Sequence, residues 1–172
     1  MRSIHLLALL PLVLAVPAQA ASGNSRVLTG SAQASVVRPV TMTNTAALRF
    51  GQIARPATAG TVTISPAGTI SSGGGAAGNA TIAQTAGGPA PGTFQITAYP
   101  GAQFAVFGPA SFNIRNGPRS MAVTLLTGSL QLLSSTSTSE TWRLDVGGTL
   151  NLGANQAVGT YSGSYTLITQ YQ

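Results

Sequence analysis

The chain has 172 residues with eight basic side chains against two acidic ones, 21 glycines, 10 prolines and no cysteine. It also lacks lysine, its single histidine is His5, and its acids are Glu140 and Asp145 alone, so neither a metal cage nor a base beside a nucleophile can be assembled from it. We therefore expect no enzymatic activity, no metal and no cofactor.

The first residues, MRSIHLLALLPLVLAVPAQA, join an Arg2 n-region to an apolar run from Leu6 to Val16 and a small-x-small site at Ala18-Gln19-Ala20. This is the pattern of a secretory signal peptide over 1–20, and the apolar run is short for a bilayer span. No second such run follows, so the mature chain should have no membrane-spanning helix and should reach the periplasm, the cell surface or the medium. Removal of the leader leaves about 150 residues, the size of one domain. Without cysteines, an exported domain of this size must be held by its core.

Residues 21–33, ASGNSRVLTGSAQ, are a polar, flexible extension, and the domain proper is expected over 34–172. Short apolar runs broken by Gly and Pro, with no 3.6-residue stripe, predict an all-β chain. A first strand is expected in ASVVRPVTMTN from Ala34, followed by ALRFGQIARP with Leu48 and Phe50 as core anchors. GTVTISPAG turns Val62 and Ile64 inward and closes at Pro66 and Gly68. Residues 71–92 read as loop, with one possible strand at NATIAQT; the glycines around Gly74 open no helix and precede no lysine, so they are not a phosphate cradle. Further strands are expected in TFQITAYPG (Phe94, Ile96, Ala98), AQFAVFG, SMAVTLLTG (Met121, Val123, Leu125) and TWRLDVGGTLNLG, where Gly147-Gly148 permits a bulge or tight turn.

The last stretch, GTYSGSYTLITQYQ, is the most regular. Tyr161, Gly163, Tyr165, Leu167, Thr169 and Tyr171 share one face of an extended strand, and hydroxylic residues dominate the other. Short strands at this spacing predict a single antiparallel β-sandwich or small barrel.

Two functional alternatives are weighed on charge. Glu140 and Asp145 could be imagined as a glycosidase pair, but on a strand positions five apart face opposite sides, leaving ordinary charges near Arg143. Arg26, Arg38, Arg49, Arg55, Arg115, Arg119 and Arg143 are scattered singly, with no basic run, so nucleic acid is not an expected partner. A diffuse positive surface outside the cell is suited to anionic glycans, lipid head groups or neighbouring subunits.

The order LRFGQI, GTVTISPAG, VGGTLNL and GTYSGSYTLITQY resembles a family of small secreted bacterial domains of unknown function, itself similar to the subunits of chaperone–usher fimbriae. Those subunits carry a glycine about fourteen residues from the end and a penultimate tyrosine, the places of Gly159 and Tyr171. The resemblance implies an immunoglobulin-like, pilin-like sandwich lacking its final strand, with a groove filled first by a chaperone strand and then by the amino-terminal extension of another copy or a related subunit. It would make Gly159, Tyr161, Gly163, Tyr165, Leu167 and Tyr171 the groove strand, and Leu28, Gly30, Ala32 and Ala34 a possible donor strand, with a periplasmic chaperone and usher as further partners. A self-contained sandwich acting as a monomeric secreted binding module, with an aromatic patch such as Trp142 and Tyr99, is the alternative. A transmembrane barrel suits the short, aromatic-poor strands less well.

Overall fold

The computed structural model describes residues 29–77 and 87–172. The leader, Arg26, Leu28 and the expected NATIAQT strand lie outside the described residues. Two compact units divide the chain, one ending at Ser35 and one beginning at Val36. In the first, residues 29–35 form no strand and are exposed. All described regular structure lies in the second.

The described residues of that unit form nine strands, β1 (Thr41–Ala46), β2 (Gly60–Ile64), β3 (Ile70–Gly74), β4 (Gly92–Ala98), β5 (Phe104–Phe107), β6 (Ser111–Asn116), β7 (Arg119–Ser135), β8 (Glu140–Leu152) and β9 (Ile168–Tyr171). All pair antiparallel. One sheet follows the order β1-β4-β8-β2-β3, with β7 joined to both β8 and β6, and β5 pairs separately with β9. The architecture is the expected all-β sandwich.

β8 organises the sheet. Val146 is registered against both Gly92 of β4 and Thr127 of β7, while Gly148 is registered against both Ile64 of β2 and Leu125 of β7. β7 therefore covers one edge of β8 throughout, and β4 and β2 share the other edge in tandem. The changeover falls at Gly147-Gly148, which is no turn: both glycines are buried within β8. A Cβ on Gly147 would collide with the Ile64 carbonyl and lie 2.7 Å from the Ser65 carbonyl carbon. The bare backbone lets β2 close against β8 where β4 leaves it.

Alternation along the strands builds two apolar clusters, as the period of two requires. Val62, Met121, Val123, Leu150 and Leu152 form one, with Phe50, Phe112, Ile114 and Tyr161 against it. Ile96, Leu144 and Val146 form the other, covered by Phe104 and Val106 of β5 and by Leu167. The inward residues expected in GTVTI, TFQITA, SMAVTL and TWRLDV are those found, with Ile64, Ile96 and Leu144 essentially inaccessible to solvent.

Four expectations need correction. The first strand begins at Thr41 and not at Ala34, because Pro39 has no N–H and restricts Arg38 before it. Within the expected loop, Ile70–Gly74 forms β3, a serine- and glycine-rich strand held by its ladder to β2 and not by propensity. β6 and its hairpin to β7 were not expected; the clue was Gly117-Pro118 between Phe112/Ile114 and Met121/Val123, with positive φ at Gly117 giving the tight two-residue turn. The terminal strand is shorter than its pattern. Only Ile168–Tyr171 makes a ladder, against β5, while in residues 159–167 Tyr161, Tyr165 and Leu167 are half-buried among exposed neighbours and the segment is joined to β6 by a single bridge, Ser162 to Arg115. The partner chain is interrupted at Gly108-Pro109-Ala110, and Pro109 offers no donor.

The two central glycines of β8 should respond differently to the same substitution. Gly147→Ala meets backbone and should lower stability by about 1–3 kcal/mol. Gly148→Ala meets only side-chain ends of Val123, Leu48 and Phe50 at 3.0–3.3 Å and should cost clearly less. Denaturant unfolding of the two variants side by side gives the comparison.

Candidate functional site

The described surface carries a groove of about 890 Å³. One wall is the irregular segment 47–56 that follows β1, and the other is 156–165, the approach to β9. Its floor is apolar: Phe94, Phe112, Ile114, Met121, Leu150 and Leu152.

Hydrogen bonds hold the two sides together beyond each end of the groove. On one side, Asn155, in the left-handed region with φ 52°, donates its N–H to the Pro56 carbonyl at 2.9 Å. On the other, the Tyr171 hydroxyl donates to the Arg38 carbonyl at 3.0 Å and accepts the Tyr99 N–H at 2.9 Å. The 47–56 wall is fixed from behind by a two-way backbone pair between Arg49 and Ala90. Between these clips the walls run in opposite directions, since the first leads away from Arg38 and the second leads toward Tyr171.

Tyr161 turns the chain into the second wall. Its hydroxyl donates to the Ala157 carbonyl at 2.9 Å and accepts from Gln156 Nε2 at 2.8 Å. In Greek-key sandwiches a tyrosine bonded to backbone a few residues upstream, near the start of strand F, forms the tyrosine corner; Tyr161 makes the same bond in the segment leading into β9. The topology agrees with that comparison. β1-β4-β8-β7 has the order of the A-B-E-D sheet of an immunoglobulin-type sandwich, and β5 with β9 matches the C-F pair. In that plan a G strand lies beside F. Among the described residues, no strand pairs with the other edge of β9 or of the segment before it.

Of the residues expected to form the groove strand, Gly159, Tyr161, Gly163 and Tyr165 line the groove. Gly159 has φ 144°, and the Asn116 side-chain amide occupies the position a Cβ would take. A Cβ on Gly163 would lie 2.5 Å from the Asn113 carbonyl oxygen, so this glycine lets the wall approach β6. Tyr165 packs between Phe94, edge-on at 6.0 Å, and Phe112, tilted at 4.9 Å. Leu167 instead joins the second apolar cluster, and Tyr171 is a clip. Of the possible donor residues, Gly30, Ala32 and Ala34 are exposed and outside any strand.

Sequence reasoning missed the opposite wall as a wall. Leu48, Phe50 and Ile53 are half-buried along it, so the two anchors expected for the core also line the groove. Their near-alternation before a proline was the available signal. The aromatic patch suggested for a binding module is not assembled: Trp142 is half-buried, edge-on to Phe104 at 5.9 Å, with Nε1 buried and unpaired, while Tyr99 is exposed. Glu140 and Asp145 do not converge; Asp145 is held by Arg143 at 2.9 Å and by Thr93, and Glu140 accepts from Gly101 and Ser135. Among the described residues no cluster of His, Cys, Asp or Glu could hold a metal, and no helix is long and apolar enough to cross a membrane.

Residues 40–171 match the family model described as a domain of unknown function, DUF4402. The chain belongs to that family. The matched span covers both groove walls, the floor and the Tyr171 clip, so the groove is built wholly within the DUF4402 domain. No curated protein and no solved structure matches the chain.

Two tyrosines can be separated by experiment. Tyr171→Phe removes the bonds to the Tyr99 N–H and the Arg38 carbonyl and should cost about 0.5–1.5 kcal/mol, with β9 amides losing hydrogen-exchange protection. Tyr165 differs because burial raises its phenol above the usual 10.0. The neutral phenol's contribution is whole below that unfolded value and is lost as pH rises through the folded one, so stability should fall in alkali. Tyr165→Phe should remove that part of the alkaline loss, read as melting temperature against pH.

Proposed function

We propose that this protein is a non-enzymatic, exported structural subunit of a surface assembly, and that its groove takes an extended strand from another subunit. The carrying observation is the groove itself: two antiparallel walls over an apolar floor, at the place where an immunoglobulin-type plan sets a G strand. An added strand would satisfy backbone groups along a wall and place alternate side chains on the floor, the β-augmentation mode of recognition. The leader-like residues 1–20 and the resemblance of the tail to fimbrial subunits support the same reading. Other copies of this chain, related subunits, and a chaperone and usher in the periplasm are the partners it calls for. The scarcity of acid–base and metal-binding side chains supports a structural role over a catalytic one.

The experiment is a denaturing gel of the mature protein from the periplasm or cell surface, unboiled against boiled, beside a variant lacking residues 21–33. Strand exchange between copies predicts a ladder that collapses on boiling and is missing from the truncated variant. A single monomer band throughout would overturn assembly between copies, leaving either a strand taken from an unlike subunit or a self-contained secreted binding module.

A further inference from the structure

The charge on the groove bears on what fills it. Arg49 and Arg55 stand on the 47–56 wall, both exposed, and no acidic residue lines the groove. Elsewhere in the chain the two carboxylates sit on the first half of β8 and are engaged there, Asp145 by Arg143 and Thr93, Glu140 by Gly101 and Ser135. The floor draws instead on the second half of β8, through Leu150 and Leu152. The two wall arginines thus border an apolar trough with no countercharge supplied from within it.

Resting on the strand-uptake reading, we infer that the strand this groove is built for carries an acidic side chain, and so belongs to a different polypeptide and not to a second copy of this chain. A strand seated beside the 47–56 wall presents its outward side chains to that wall's exposed residues. Opposite charges facing across a strand pair favour pairing, and like charges disfavour it by a similar amount. The extension of this chain, ASGNSRVLTGSAQAS over residues 21–35, holds Arg26 and no acid. It would bring a third positive charge to the arginine wall, and its inward alanines Ala32 and Ala34 would fill the floor poorly. An acidic donor with larger apolar residues meets both requirements. The subunit would then stand in a mixed assembly, accepting a strand from an unlike neighbour.

The test uses residues 21–172 and synthetic peptide probes. The reference probe, unmodified in charge, is the peptide of residues 21–35 with Ala32→Leu and Ala34→Leu, so that its inward face fills the floor; three others add Thr29→Glu, Ser31→Glu or Gln33→Glu, positions that alternate with the apolar face and leave it unchanged. Binding is followed by fluorescence anisotropy and by the shift in melting temperature, at low and high salt, for the parent protein and for R49Q/R55Q. We expect at least one glutamate peptide to bind about threefold to fivefold more tightly than the unmodified one at low salt. The advantage should shrink at high salt and in R49Q/R55Q, whose own melting temperature should match the parent's. If the unmodified peptide binds as tightly as the best glutamate peptide, the acidic-donor inference is overturned while strand uptake stands. If no peptide binds or raises the melting temperature, strand uptake itself is overturned, and this inference with it.

Discussion

The domain depends on the hydrogen bonding of β8 along both edges. One strand of thirteen residues carries a ladder to β7 on one side and successive ladders to β4 and β2 on the other. Its inward side chains enter both apolar clusters, Leu144 and Val146 in one, Leu150 and Leu152 in the other. With no disulfide available, no other element ties the two clusters so directly, and the fold's integrity rests on that backbone staying straight through Gly147-Gly148. A side chain at Gly147 would have to displace the backbone of β2's end, which is why the glycine is needed in the middle of a strand where glycine is otherwise unfavourable.

The groove follows from how the second layer is attached. β5 and the terminal β9 form a two-stranded sheet, and the residues leading into β9 are secured to β6 at Ser162 alone. Beyond that bridge they are positioned by side chains: the hydroxyl of Tyr161 bonded to Ala157, the ring of Tyr165 between Phe94 and Phe112, and the close approach of Gly163 to Asn113. A wall fixed from one side and open on the other is a suitable edge for strand addition. Exposed edges of this kind are normally charged or covered in proteins that must stay monomeric. Here the edge overlooks an apolar floor, with arginine on the facing wall only.

Electrostatics has a small part in holding the domain together. Among the described residues the single ion pair is Arg143 with Asp145 on the surface of β8, and such a pair contributes little to stability. Serine and threonine hydroxyls supply the exposed polarity that charge supplies elsewhere, as in the Thr136–Ser139 turn, where Thr136 both donates to and accepts from Ser139. Against so neutral a background, the two groove arginines stand out to an incoming strand.

The sequence by itself determined the all-β class, the sandwich, and most of the inward residues, because a period of two in GTVTI, FQITA, MAVTL and WRLDVGGTLNL assigns each side chain to a face without reference to any partner. It also determined the poverty of catalytic and metal-binding groups, which is a matter of composition. It could not determine where ladders begin and stop. The terminal pattern runs unbroken from Tyr161 to Tyr171, yet pairing is limited by Pro109 in the break between β5 and β6, far away in the chain, and β3 exists because β2 offers it an edge. The tertiary structure alone decided that Leu48 and Phe50 face Tyr161 and Tyr165 across a trough. It also decided that Tyr171 is a clip to Arg38 and Tyr99. Both outcomes join segments more than seventy residues apart, and local periodicity carries no information about which distant edge a strand will meet.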